Sequence, residues 1–168
     1  MIQLLDVHKR YADTGEALRA VNLEIGAGEF VFLTGHSGAG KSTLLRCANL
    51  LEIPQQGEIF FQGIPIAFDG EGQHRRPAKA AQVRTLRTHL SMVFQQFNLW
   101  GHMTILDNVI EAPVTVLKRD KTDTIEKAHA LLAKVGIGDK WRFYPSQLSG
   151  GQQQRAVVCG VQCRYQHR

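Results

Sequence analysis

Nine consecutive residues constrain this chain more than any others: Gly35, His36, Ser37, Gly38, Ala39, Gly40, Lys41, Ser42 and Thr43. They follow the pattern G-x-x-x-x-G-K-[ST], a loop built to hold phosphate. Glycines at 35, 38 and 40 let the backbone curl into a concave row of N–H groups with no Cβ atoms in the way. Those groups and the helix start behind them present positive partial charge to phosphate oxygens. Lys41 is long enough to reach the β- and γ-phosphates, and the Ser42 hydroxyl is suited to Mg²⁺. Such a loop joins a strand to a helix. Residues 29–34, with Phe30, Val31, Phe32 and Leu33, are a short apolar run that predicts a buried strand. Residues 41–51 place Leu44, Leu45, Ala48 and Leu51 on one helical face.

The 168 residues suffice for one domain with a core, and 43% apolar and 21% charged residues describe a globular chain. No apolar run reaches the ~18 residues of a membrane span. The N-terminus, Met1 to Asp6, has no basic stretch followed by an apolar one, so a cytosolic start is expected. The net charge of +5 would suit nucleic acid, but its distribution argues otherwise. No acid follows Asp139, whereas Lys140, Arg142, Arg155, Arg164 and Arg168 are basic. Arg75, Arg76, Lys79, Arg84 and Arg87 form a second basic stretch, read as a solvated helix face. Cys47 reads as a small buried residue. Cys159, Cys163 and His167 would share a helical face, but a metal site there lacks a fourth ligand.

Along the chain, residues 2–11 and 18–25 read as strands around a turn at 12–16. In the first, Ile2, Leu4 and Asp6 alternate against Gln3, Leu5 and Val7. A third strand is expected at 58–62, a helix from Pro77 to about Leu86, and an apolar strand at 90–94 that delivers Gln95. Thr104 is an expected N-cap with Asp107 at N3, Pro113 a break or kink, and Thr122 the cap of the next helix. In that helix Ile125, Ala128, Leu131, Leu132 and Val135 form one apolar stripe, stopped by Gly136. Trp141, Phe143 and Tyr144 read as packing under a loop.

A second informative stretch is Leu148-Ser149-Gly150-Gly151-Gln152. Ser149 can cap the helix that follows, and the two glycines free backbone N–H groups at its start, making a second phosphate-seeking surface. With this stretch the chain resembles the ATP-binding subunits of ABC transporters. Leu148 to Gln152 matches the family signature LSGGQ, residues 35–43 match its phosphate-binding loop, Gln95 its loop glutamine and Tyr11 its adenine-stacking aromatic. Within the family, residues 47–54, 94–108 and 149–155 look most like the ATPases of polar amino-acid importers of the arginine, histidine and glutamine type.

The resemblance implies an α/β P-loop NTPase core with an antiparallel β subdomain and an all-helical insertion, incomplete at the C-terminus. Residues 1–95 would form the core and β subdomain, 96–155 the helical subdomain, and 156–168 a divergent tail. It also implies a homodimer, or pairing with an intact ATPase subunit, with two ATP molecules sandwiched. Gly35, Ser37, Gly38, Gly40, Lys41, Ser42 and Thr43 of one subunit hold the phosphates. Ser149, Gly150, Gly151 and Gln152 of the other complete the site. Ser42 and Gln95 would hold Mg²⁺, and Gln95 would also touch the attacking water. Residues 97–112 would dock a membrane subunit, placing the chain on the cytoplasmic face of the membrane. A periplasmic or lipid-anchored binding protein would be an indirect partner, and nucleic acid would not be one. After Arg155 the match is expected to fail. No apolar strand ending in Asp-Glu follows Ser149, nor does a histidine at a strand end. A truncated gene product, frameshifted near Ala156, is therefore expected, with weak or absent hydrolysis.

Overall fold

The computed structural model describes residues 1–13 and 15–165. The chain divides into two compact units, Met1–Ser91 and Met92–Arg168. The first unit is organised by a four-stranded antiparallel sheet of order β2-β1-β3-β4, made of β1 (Ile2–Tyr11), β2 (Gly15–Ile25), β3 (Gln56–Phe61) and β4 (Ile64–Pro65). A two-stranded ladder joins β5 (Phe68–Asp69) to β6 (Arg76–Pro77). Two helices complete the unit, α1 (Lys41–Ala48) and α2 (Ala80–His89). Its core combines Ile2, Leu4, Val7, Leu18 and Ile59 of the sheet with Leu44 and Cys47 of α1, Leu86 of α2, and Leu50 and Ile66.

The simple alternation expected for β1 breaks at Asp6. Ile2 and Leu4 are buried, and so is Val7, one position out of phase. The register against β2 shifts between Leu4 and Val7, and Asp6 adopts φ 49°. Such a bulge moves the following side chain to the other face. The Asn22 side chain holds it by accepting the Asp6 N–H at 3.0 Å. On the neighbouring strand Gly57 lies so close that a Cβ there would collide with the Asp6 carbonyl.

Two expected strands are absent as paired elements. Residues 29–34 and 90–94 belong to no sheet among the described residues. Phe30 is 85% exposed and Phe32 77%, their rings edge to face at 5.0 Å. An apolar run becomes a buried strand only when neighbouring strands take its N–H and C=O groups, and no strand among the described residues does so. The buried face of α1 also differs from expectation. Leu44 and Cys47 are buried, whereas Leu45 and Leu51 are exposed. Helix α2 begins at Ala80, because Pro77 is committed to β6. The basic stretch is not uniformly solvated. Arg75 stacks on Phe68 at 4.1 Å and donates to the carbonyls of Pro54 and Gly57, and Arg87 donates to those of Asn49 and Leu50.

The second unit is helical: α3 (Ile105–Glu111), α4 (Lys121–Lys134) and α5 (Gly150–Tyr165). Thr104 caps α3 as expected, accepting the Asp107 N–H at 3.1 Å. A π-turn over Ala112–Val116 follows, at the proline that cannot donate into the helical ladder. The cap of α4 is Asp120, not Thr122; its carboxylate accepts the Asp123 N–H at 2.9 Å and leaves Thr122 inside the first turn. Ala128, Leu131 and Leu132 of the predicted stripe are buried against Ile105, Val109, Leu148 and Ala156. Gly136 follows with φ 73°. Trp141 and Phe143 pack on this core, and their carbonyls accept the N–H groups of Leu106 and Ile105 at the start of α3.

Helix α5 runs through Arg155 without interruption and buries Ala156, Cys159 and Cys163. Residues 156–165 are therefore part of the helical unit and not a separate tail. The apolar spacing of 156, 159 and 163 follows the helical period. Cys159 and Cys163 are free core thiols, and His167 lies outside the described residues. No group of three metal-binding side chains occurs among the described residues.

Candidate nucleotide site

The loop of residues 35–43 leads directly into α1. Gly40, at φ 80°, is the N-cap and supplies no side-chain cap. A Cβ on Gly40 would run into the Ala17 carbonyl of β2, so the loop approaches the sheet as closely as only glycine permits. With no side-chain cap and no acid in its first turn, α1 leaves its leading N–H groups to an incoming anion. Gly35 and Gly38 likewise have positive φ.

Lys41 folds back over the loop. Its Nζ donates to the carbonyls of Gly35 and His36, both at 2.7 Å. An ammonium has three N–H bonds, so one remains for a ligand oxygen. The His36 carbonyl also accepts the Ala39 N–H at 3.2 Å, and the His36 ring donates through Nδ1 to the Ser37 carbonyl at 2.7 Å. These bonds hold the loop in a closed curve from inside.

A cleft of about 670 Å³ opens on this loop, lined by residues 37–43 with Tyr11, Glu16 and Ala17. The Tyr11 hydroxyl lies 3.5 Å from Thr43 Oγ1. The fold thus brings Tyr11 to the cleft with Ser37, Gly38, Gly40, Lys41, Ser42 and Thr43, while Gly35 stands behind as an acceptor for Lys41. Glu16 and Ala17 were not foreseen. They come from the start of β2, opposite the end of β1, and no local pattern marks them. The cleft suits a polyphosphate: glycine-shaped backbone, one lysine, and the Ser42 and Thr43 hydroxyls. Ser42, at the first turn of α1, is placed to offer an oxygen to a hard cation that accompanies phosphate.

The other predicted residues lie in the second unit. Gln95 is exposed at a turn over 95–96, followed by Phe97 and Asn98 at φ 60° and 52°. Ser149 to Gln152 form the start of α5. The Ser149 N–H donates to Gln152 Oε1 at 2.9 Å, and Ser149 Oγ accepts the Gln152 N–H at 3.4 Å, a reciprocal capping box. Gln153 Nε2 donates to the carbonyls of Pro145 and Leu148 and ties the preceding segment to the helix. Ser149, Gly150 and Gly151 are exposed. Asn108, given no role of its own in the sequence reading, organises the 97–104 segment. It accepts the Trp100 N–H and donates to the carbonyls of Trp100, Met103 and Thr104.

The family model "ABC transporter" matches residues 18–166. The match therefore does not end at Arg155, and the expected break at Ala156 is not there. The chain is 49% identical over 158 residues to the octopine permease ATP-binding protein P of Rhizobium radiobacter, covering 94% of this chain and 60% of that protein. It is 48% identical over 160 residues to the histidine/lysine/arginine/ornithine transport ATP-binding protein of Escherichia coli, covering 94% and 62%. The chain thus spans about three fifths of the length of these relatives. Among solved structures it is similar to a dimeric bacterial ABC transporter cassette, with a TM-score of 0.81 and 32% identity over 98% of this chain and 70% of that one. The same cassette bound to ADP and phosphate gives a TM-score of 0.80. From the phosphate loop to the capped signature helix, and over most of its length, this chain belongs to the ABC transporter family.

Proposed function

We propose that this chain is the ATP-binding, energy-coupling part of an ABC importer whose transported class is polar amino acids. The observation that carries this reading is the cleft where Tyr11 converges with residues 37–43. The amino-acid class draws support from the names of the transport proteins that the chain resembles. Gly35, Ser37, Gly38, Gly40, Lys41, Ser42 and Thr43 hold the triphosphate, and Tyr11 takes the adenine. Ser42 and Gln95 are the residues assigned to Mg²⁺, which when bound neutralises phosphate charge. Gln95 also positions water. Ser149, Gly150, Gly151 and Gln152 of a second subunit complete the γ-phosphate pocket. Within 97–112, Ile105, Leu106, Val109 and Ile110 are buried while Trp100, Gly101 and His102 are exposed, which supports the start of that stretch as the side offered to a membrane subunit. Through that contact the chain sits on the cytoplasmic face of the membrane.

Hydrolysis asks for more than these residues. No Asp or Glu occurs among residues 140–168, so these residues supply no carboxylate after the signature. Positioned general-base help is worth about 10²–10⁴-fold in rate. A polypeptide of these 168 residues binds ATP but turns it over slowly. The same feature favours a second reading, in which such a polypeptide pairs with an intact subunit as a non-catalytic module. Fluorescent-nucleotide titration and phosphate release test both parts. ATP binding that Lys41→Ala abolishes, with turnover about 10²-fold or more below a full-length relative, is expected. Turnover equal to the relative's would overturn the slow-hydrolysis reading. Pull-down of an intact subunit, with and without ATP, tests the pairing.

A further inference from the structure

Lys9 is two residues before Tyr11 on β1, and its side chain is only 12% exposed. A lysine is seldom buried unless its ammonium finds partners. Here Nζ donates to the Ile53 carbonyl at 2.8 Å and stands 3.3 Å from Glu52 Oε2. The same ammonium lies over the ring of Tyr11, 5.2 Å from its centroid. Glu52 and Ile53 follow α1, so the tether is fastened to the segment that leaves the phosphate-loop helix. Tyr11 lines the cleft, whereas Lys9 belongs to a neighbouring crevice shared with His8, Arg10 and Gln55.

We propose that Lys9 is a positioning residue for nucleotide binding: it holds the Tyr11 ring from outside the cleft and tunes the ring surface that receives the base. The inference rests on the reading above, in which a nucleotide base stacks on Tyr11. A cation at one face of an aromatic ring draws on its electron density. The ring then repels an electron-rich purine less. A ring already held in place also gives up less side-chain freedom when the base arrives. Because Glu52 neutralises Lys9, the pair adds little long-range attraction for phosphate, and its effect is confined to the base.

The test titrates the 168-residue chain with ATP and with inorganic tripolyphosphate by calorimetry, in the wild type, Lys9→Met, Lys9→Arg, Tyr11→Leu and the Lys9→Met/Tyr11→Leu double variant. Lys9→Met is expected to weaken ATP about 3- to 10-fold and to leave tripolyphosphate within about 2-fold. Lys9→Arg keeps the charge and restores ATP affinity. In the Tyr11→Leu background Lys9→Met has no further effect. Equal losses for the two ligands, a loss that persists without Tyr11, or unchanged ATP affinity in folded Lys9→Met each overturns the proposal. Should Lys9→Met not fold, Lys9→Gln, which removes the cation and keeps an N–H donor on that side chain, carries the same expectations. If Tyr11→Leu leaves ATP binding unchanged, or the wild type binds neither ligand, the base-stacking reading itself fails. If Tyr11→Leu weakens ATP and Lys9→Met does not, only the role of Lys9 falls.

Discussion

Gly40 and Cys47 sit seven positions apart and answer to different constraints. Gly40 has φ 80° and the Ala17 carbonyl where a Cβ would stand. The left-handed backbone alone costs a non-glycine residue about 1–2 kcal/mol, before any collision is counted. Gly40→Ala should therefore lower the urea midpoint and weaken ATP binding together, since the loop and β2 must separate. Cys47 is fully buried, and burial pushes its thiol up from 9.0 to about 11, with Lys9 lowering it and Glu52 raising it. Below pH 9 both folded and unfolded chains keep this proton. Between pH 9 and about 11 the unfolded chain loses it while the folded chain retains it, so stability falls as pH rises through that window. Cys159 is pushed up to about 11 as well, chiefly by burial. Melting temperatures measured from pH 8 to pH 11 should fall, and Cys47→Ala should make the fall shallower without removing it.

At the level of single elements, the ends of α5 are held in two ways. Its start is closed locally by Ser149 and Gln152. Its end is closed from far along the chain, by Arg119 donating to the carbonyls of Cys163 at 2.8 Å and Arg164 at 2.7 Å. Ser149→Ala should cost about 0.5–1 kcal/mol, at the low end because the cap bond is long. Arg119→Ala should cost more, about 1–3 kcal/mol, because two charge-assisted bonds are lost at once. Chemical denaturation of the two variants checks the order. That contrast is also what made one end legible beforehand. The S-x-x-Q box and the Thr104–Asp107 cap lie within one helical turn, so residue spacing alone exposes them. Arg119 has no such signal, because its partners are brought to it by the packing of α5. For the same reason α4 is capped by Asp120 where Thr122 was expected: both can cap, and the turn before the helix decides between them.

Over the whole molecule, the largest departure from the sequence reading is the segment 29–34. Phe30, Val31 and Phe32 are exposed, and so are Leu45 and Leu51 of the first unit. Exposed apolar patches and unpaired backbone of this kind promote association between chains. The 168-residue polypeptide should self-associate with rising concentration, and Phe30→Ser/Phe32→Ser should reduce that association in light scattering while leaving the melting temperature nearly unchanged.

The phosphate loop, the signature helix, three of the sheet strands and the helical stripe of α4 were readable because each is written in short-range chemistry. Glycine spacing, a lysine at a set distance, a capping pair and a helical or two-residue period depend on neighbours a few positions away. The bulge at Asp6 was not, because it needs Asn22 and Gly57 from two other strands. The burial of Lys9 against Glu52 and the threading of Arg75 into the carbonyls of Pro54 and Gly57 depend in the same way on distant segments. Residues 29–34 make the point most sharply. Their apolar character is a property of the residues, but being a strand is a property of the neighbours that accept their hydrogen bonds, and only the folded chain decides who those neighbours are.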